Sequence, residues 1–187
     1  MGEIGGLFFR GDCRYKDRLA YYGAKTGALS LANELHASGK VTFLRGVTDS
    51  TTLFGFFNAT ESVRVNDKQD QAIPSDFLGA AIEGPSGEGF LFYPVYRVHA
   101  GVAGEAHSTA PHIYPDGALH QWDLQYAATD AGGELTLSLD GQVVRLSLPK
   151  DHLAVGAAFD HFGFVTPWID GNAQVVYLDD LRYTVAG

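Results

Sequence analysis

ELTLSLDGQVVRLSL, residues Glu134–Leu148, alternates apolar and polar side chains on either side of Asp140-Gly141. An Asp-Gly pair suits a two-residue type I′ hairpin loop, because both residues tolerate positive φ. A turn there pairs Leu139 with Gln142. It places Leu135, Leu137, Leu139, Val144, Leu146 and Leu148 on one face. Thr136, Ser138, Arg145 and Ser147 fall on the other. Turn chemistry and apolar pattern agree on one register, which specifies a half-buried antiparallel hairpin.

The same period-2 pattern extends outward. In the preceding run, Trp122, Leu124 and Tyr126 alternate with Gln121, Asp123 and Gln125. Strands are expected near 3–10, 39–47, 52–58, 76–83, 88–99, 119–128, 134–139, 142–148, 160–168 and 173–185, with turn-rich segments between them. Pro94 makes the 88–99 run an edge strand, a bulge or a broken strand. The best helical candidate, Leu29–His36, is short and ends at Ser38-Gly39. Segments 61–75 and 100–117 read as long loops, the first polar and mobile, the second carrying His107, His112 and Tyr114. Many short strands at even spacing indicate a two-sheet sandwich or jelly roll.

Composition agrees. The chain has 187 residues, 45% hydrophobic and 19% charged, with 23 Gly, enough for one domain spanning 1–187 with a full core. The net charge of −9 comes without a basic stripe, so nucleic acid is not an expected partner. Apolar runs are too short for membrane insertion by a helix, and no signal peptide is visible. Cys13, the single cysteine, cannot form an internal disulfide. Met1-Gly2 leads at once into an expected strand, which suggests a module cut from a larger multidomain protein or a mature chain given a start codon.

Four runs occur in order: LFGFFN (Leu53–Asn58), HQWDLQY (His120–Tyr126), FDHFGF (Phe159–Phe164) and VYLDDLRY (Val176–Tyr183). Together they resemble the concanavalin A-like lectin/glucanase superfamily and are particularly similar to laminin-G-like bacterial modules. The resemblance covers Gly2–Thr184. It implies an all-β, antiparallel two-sheet jelly roll, a glycan or polysaccharide partner, and an extracellular or periplasmic location. The superfamily includes lectins, glycosidases, lyases and adhesive modules, so fold alone does not choose among them. The Glu-x-Asp-x-x-Glu strand of laminarinase-type enzymes is missing; Glu83 and Glu88 do not match it. VYRVHA (Val95–Ala100) is a distant echo of the Gln-Ile-His strand of alginate lyases. The legume-lectin metal loop is absent.

Three sets of residues are candidates. Planar polar groups and an aromatic face suit sugar hydroxyls and C–H patches, which selects Arg45, Asn58, Gln121, Asp123, Gln125 and Trp168 on a concave sheet. Each of these also fits an ordinary solvated sheet face or, for Trp168, a core cap. Tyr93, Arg97 and His99 share strand parity and could serve a β-eliminating lyase as acid, uronate neutraliser and base. A Tyr and a His on a half-buried strand are more often packing residues with satisfied polar tips. Glu3 in the first strand and Asp179-Asp180 in the last could hold a structural calcium. Adjacent carboxylates in an apolar strand otherwise require a bulge or an ion pair, for instance with Arg10, Arg14 or Arg182. The expected function is a non-catalytic, lectin-like glycan-binding module. A polysaccharide lyase or glycoside hydrolase is the alternative and a structural adhesive module the third choice.

Overall fold

The computed structural model describes residues 3–8, 21–48, 50–66, 69–84, 89–99, 102–165 and 174–187. Trp168, Cys13, Arg10, Arg14 and Glu88 lie outside the described residues. Each of the ten expected strands is present. They are β1 (Ile4–Phe8), β3 (Leu35–Gly46), β4 (Ser50–Phe57), β7 (Phe77–Gly84), β8 (Phe90–Val98), β11 (Leu119–Thr129), β12 (Gly132–Leu139), β13 (Gln142–Pro149), β14 (Ala158–Val165) and β15 (Gln174–Tyr183). Five further strands complete the set: β2 (Tyr21–Ser30), β5 (Ser62–Asn66), β6 (Gln69–Pro74), β9 (Val102–Glu105) and β10 (His112–Ile113).

Three expectations are corrected. Leu29–His36 is not helical: β2 runs to Ser30, a turn follows, and β3 begins at Leu35. The Asn33 side-chain oxygen accepts from the Ser30 N–H at 2.9 Å and from its hydroxyl at 3.2 Å, which closes the turn. Segment 61–75 holds the β5–β6 hairpin, and 100–117 holds β9 and β10. One short helix, α1 (Lys150–Val155), follows β13.

The strands form two principal sheets. A six-stranded sheet has the order β1-β15-β3-β11-β12-β13. A seven-stranded sheet has the order β10-β8-β7-β4-β14-β2, with β9 also on β8. All pairings are antiparallel. The inward rows of both sheets meet in one apolar cluster. Val41, Phe43, Trp122, Leu124, Leu137 and Leu178 come from one side, and Phe54, Phe56, Leu78, Phe92, Phe162 and Phe164 from the other. Leu139 pairs with Gln142 as the hairpin arithmetic requires, and Leu135, Leu137 and Leu139 are buried.

Pro94 does not break β8. The strand is continuous and lies inside the sheet. β10 pairs with Phe90 and Leu91, and β9 pairs with Val95–Val98, so Pro94 falls in the gap between them. Its carbonyl accepts from the Ala106 N–H at 3.3 Å, and the amide it lacks would face the same gap. Four glycines stand abreast across the seven-stranded sheet: Gly23, Gly163, Gly55 and Gly79. A Cβ on Gly163 would meet the Tyr22 carbonyl at 2.2 Å, and one on Gly55 the Leu78 carbonyl at 2.4 Å. Only hydrogen fits that row.

Candidate functional site

The outward face of the six-stranded sheet is polar over the middle of β3, β11 and β12, with exposed Leu7 and Val143 on its edge strands and exposed Leu119 at the start of β11. Register fixes two of its rows. Arg182, Ser38, Asp123 and Ser138 stand abreast, as do His36, Gln125 and Thr136 in the next row. Two clefts lie end to end over these rows. One, of about 630 Å³, is lined by residues including Lys40, Gln121, Asp123, Ser138, Asp140 and Arg182. The other, of about 640 Å³, is lined by residues including His36, Gln125, Glu134, Thr136 and Thr184. Successive same-face residues of β3, β11 and β12 pass from one cleft into the other, so the two form one furrow.

Three carboxylates on this face are each engaged by a neighbouring side chain. His36 Nε2 lies 2.6 Å from Asp123 Oδ2, and Gln125 Nε2 donates to Asp123 Oδ1 at 2.8 Å. His120 Nδ1 lies 2.6 Å from Asp140 Oδ2, and the Gln121 N–H donates to Asp140 Oδ1 at 2.8 Å. Burial works against the Asp140 carboxylate, but these two donors outweigh it and hold its pKa below the ordinary value. Lys40 Nζ sits 2.6 Å from Asp180 Oδ2. That hydrogen bond raises the Lys40 pKa and lowers that of Asp180. The exposed Gln121 carboxamide makes no hydrogen bond among the described residues and is open to a ligand.

The structure divides the candidate sugar-binding residues. Gln121, Asp123 and Gln125 share the furrow. Arg45 is exposed on the same sheet, opposite Val175 and past a bulge in β3. Asn58 belongs elsewhere: it follows β4 in the other sheet, is 8% exposed, and its side-chain oxygen accepts from the Thr60 and Glu61 amides and the Thr60 hydroxyl. It builds the turn that leads into β5. Sequence reasoning missed Lys40 and Ser38 and named Arg182 only as an ion partner for Asp179-Asp180; strand pairing brings all three beside Gln121 and Asp123.

Asp179 and Asp180 mark a bulge. Asp179 opposes Lys40 and Arg182 opposes Ser38, so two β15 residues face Gly39 alone. Asp180 takes φ +51° there, and its N–H donates to Asp179 Oδ1 at 2.7 Å. The ion partner is Lys40, with Arg182 adding a weaker attraction. Among the described residues, which include Glu3, no three His, Cys, Asp or Glu side chains are arranged to hold a metal.

Two of the three lyase candidates share one strand face. Tyr93 and Arg97 share the outward face of β8, but His99 lies one residue beyond the strand, where its charge acts on Asp76. Tyr93 is 3% exposed and donates its hydroxyl to Glu83 Oε2. Burial, and then Glu83, hold that phenol far above its ordinary pKa.

No protein-family model matches the sequence, and a search of the curated proteins returns no match. Solved structures do match. The endo-β-1,4-glucuronan lyase of the fungus Trichoderma reesei superposes over 98% of this chain and 80% of its own, with a TM-score of 0.58 and 12% identity. The alginate lyase Aly36B, bound to an alginate trisaccharide, gives 99% and 81%, a TM-score of 0.59 and 10% identity. The family 7 alginate lyase A1-II′ gives 90% and 73%, a TM-score of 0.58 and 6% identity. At such identities the likeness concerns the fold. The protein has the concanavalin A-like, all-β jelly-roll sandwich.

Proposed function

We propose that this protein is a non-catalytic glycan-binding module that uses the furrow on its six-stranded sheet. The observation that supports this reading is the floor of the furrow. Asp123, Asp140 and Asp180 are already engaged by His36, His120 and Lys40, and the Gln121 amide with the Ser38 and Ser138 hydroxyls stands among them, beside Arg182. Such a surface suits the hydroxyls of a neutral oligosaccharide better than a charged one. Leu119, 60% exposed, adjoins Gln121 along β11 and offers an apolar surface for sugar C–H groups. No helix among the described residues is long and apolar enough to cross a membrane. An extracellular or periplasmic setting as part of a larger protein is consistent with this role.

Lyase activity is the second reading, favoured by the names of the structural neighbours. The outward face of the seven-stranded sheet offers it little. Its central strands β4 and β7 present Thr51, Leu53, Gly55, Phe57, Phe77, Gly79, Ala81 and Glu83; Phe57 and Phe77 are buried, and Glu83 is taken up by the Tyr93 hydroxyl. Proton abstraction at C5 needs a base, and His99, the base of the candidate set, lies beyond the end of β8 rather than on the strand face that carries Tyr93 and Arg97.

Calorimetric titration against a panel of neutral oligosaccharides, with a parallel assay for reducing ends and unsaturated uronate, tests the proposal. Binding without product is expected. Gln121→Ala and Gln125→Ala should each weaken binding by about 1 kcal/mol, the net value of one hydrogen bond. Affinity should change little with salt. Turnover of any polysaccharide, or unaltered binding in both variants, would refute the reading.

A further inference from the structure

On the opposite side of the molecule, Arg97 of β8 lines a separate cavity of about 310 Å³. Leu53, Pro74, Phe77 and Val95 form its apolar walls, and Ala103, Gly104 and Glu105 of β9 form a side. Register places Arg97 abreast of Phe77 and Ala103, and Val95 abreast of Glu105. Arg97 is half-buried. Among the described residues its guanidinium has neither a carboxylate nor a hydrogen-bond acceptor as partner. Glu105 shares the cavity, but its carboxylate lies 3.5 Å from His107 Nε2. Burial alone draws the Arg97 pKa below its ordinary value.

A partly desolvated cation without a partner is unfavourable, and folded chains rarely keep one unless something completes it. Arginine presents a planar fork of donors that matches a carboxylate bidentately. The volume stands at the small end of the range for small-molecule sites, roughly 300–1,000 Å³. One cation with Glu105 nearby suits a monoanion better than a dianion, which the second carboxylate would repel.

We propose that this cavity is a binding site for a small organic carboxylate, with the carboxylate on Arg97 and a compact apolar body against Leu53, Pro74 and Val95. A free organic acid and a uronate unit within a glycan share this chemistry. The site is on the opposite sheet from the furrow and does not depend on the reading of that face.

Titration of isotopically labelled protein with glucuronate, followed by NMR at the Val95, Ala103 and Gly104 amides, tests it. Glucose, inorganic sulfate and an oligouronate are the comparison ligands. Glucuronate should shift those amides at concentrations at least tenfold below glucose or sulfate. Arg97→Gln should weaken glucuronate at least tenfold while keeping the rest of the spectrum. The oligouronate arm separates the sources: a stronger response than the monomer identifies a glycan unit, an equal or weaker one a free acid. Arg97→Met should melt higher than the parent protein without ligand, because it removes an uncompensated charge. Equal binding of glucose and glucuronate, tighter binding of sulfate, no response to either acid, undiminished binding in Arg97→Gln, or a lower melting temperature for Arg97→Met would each overturn the proposal.

Discussion

Trp122 is 3% exposed and packs edge-on against Phe54, ring centroids 5.1 Å apart, so it ties one sheet to the other. Its neighbours Gln121 and Asp123 face the furrow as a direct consequence of strand alternation. Trp122→Ala should cost about 3–5 kcal/mol in urea denaturation, the scale for deleting a large buried aromatic. A loss below about 1 kcal/mol would invert the face assignment of β11. Asp76 provides a second residue-level prediction. It is 3% exposed, and its Oδ2 accepts from the Ala158 N–H at 2.9 Å. Burial raises its pKa above the ordinary 3.8; the Ala158 amide and the His99 charge oppose this without cancelling it. A carboxyl with a raised folded pKa binds more protons native than unfolded. Its contribution to stability is therefore present below about pH 3.8 and declines as pH rises through the folded pKa. A carbon-detected NMR titration should place the Asp76 midpoint above 3.8. Asp76→Asn should remove that decline from the stability profile.

Among the elements, the β12–β13 hairpin and the glycine row respond differently to one methyl group. Gly141 has φ +83° and nothing near its would-be Cβ, so Gly141→Ala meets only left-handed backbone strain. A cost of about 1 kcal/mol is expected in chemical denaturation. Gly55→Ala would drive a Cβ into the Leu78 carbonyl, so loss of the native circular dichroism spectrum is expected. A Gly55→Ala protein as stable as Gly141→Ala would contradict the close approach of β4 and β7. The β15 bulge gives the fourth prediction. With Asp180 held by Lys40, a chelator should leave the melting temperature unchanged and added calcium should not raise it. A chelator-dependent melt restored by calcium would establish a metal at Glu3, Asp179 and Asp180 through mass-action stabilisation. Much of this level was legible beforehand. The Asp-Gly turn chose its own register, and the adjacent carboxylates in β15 already required a bulge or an ion pair. β2 was missed because Tyr21–Lys25 are all exposed and show no alternation. Its partner β14 supplies the order instead.

At the scale of the whole molecule, the inward rows of both sheets merge into one apolar cluster. Unfolding followed by tryptophan fluorescence and by far-ultraviolet circular dichroism should therefore give coincident single transitions. Two separated transitions would divide the chain into two units. What the sequence alone determined is local in origin. Period-2 alternation and turn chemistry act between residues close in the chain, and they specify the strands, the inward face of each and the hairpin. Only the tertiary structure decided which strands become neighbours. β3 lies between β15 and β11, and β14 between β4 and β2, across separations that no local pattern encodes. That arrangement put Lys40 and Arg182 beside Gln121 and Asp123, removed Asn58 to the other sheet, and tolerated Pro94 in the gap between β9 and β10. It also left Arg97 in a cavity without a partner among the described residues, because charge compensation depends on what long-range packing brings within reach of a side chain.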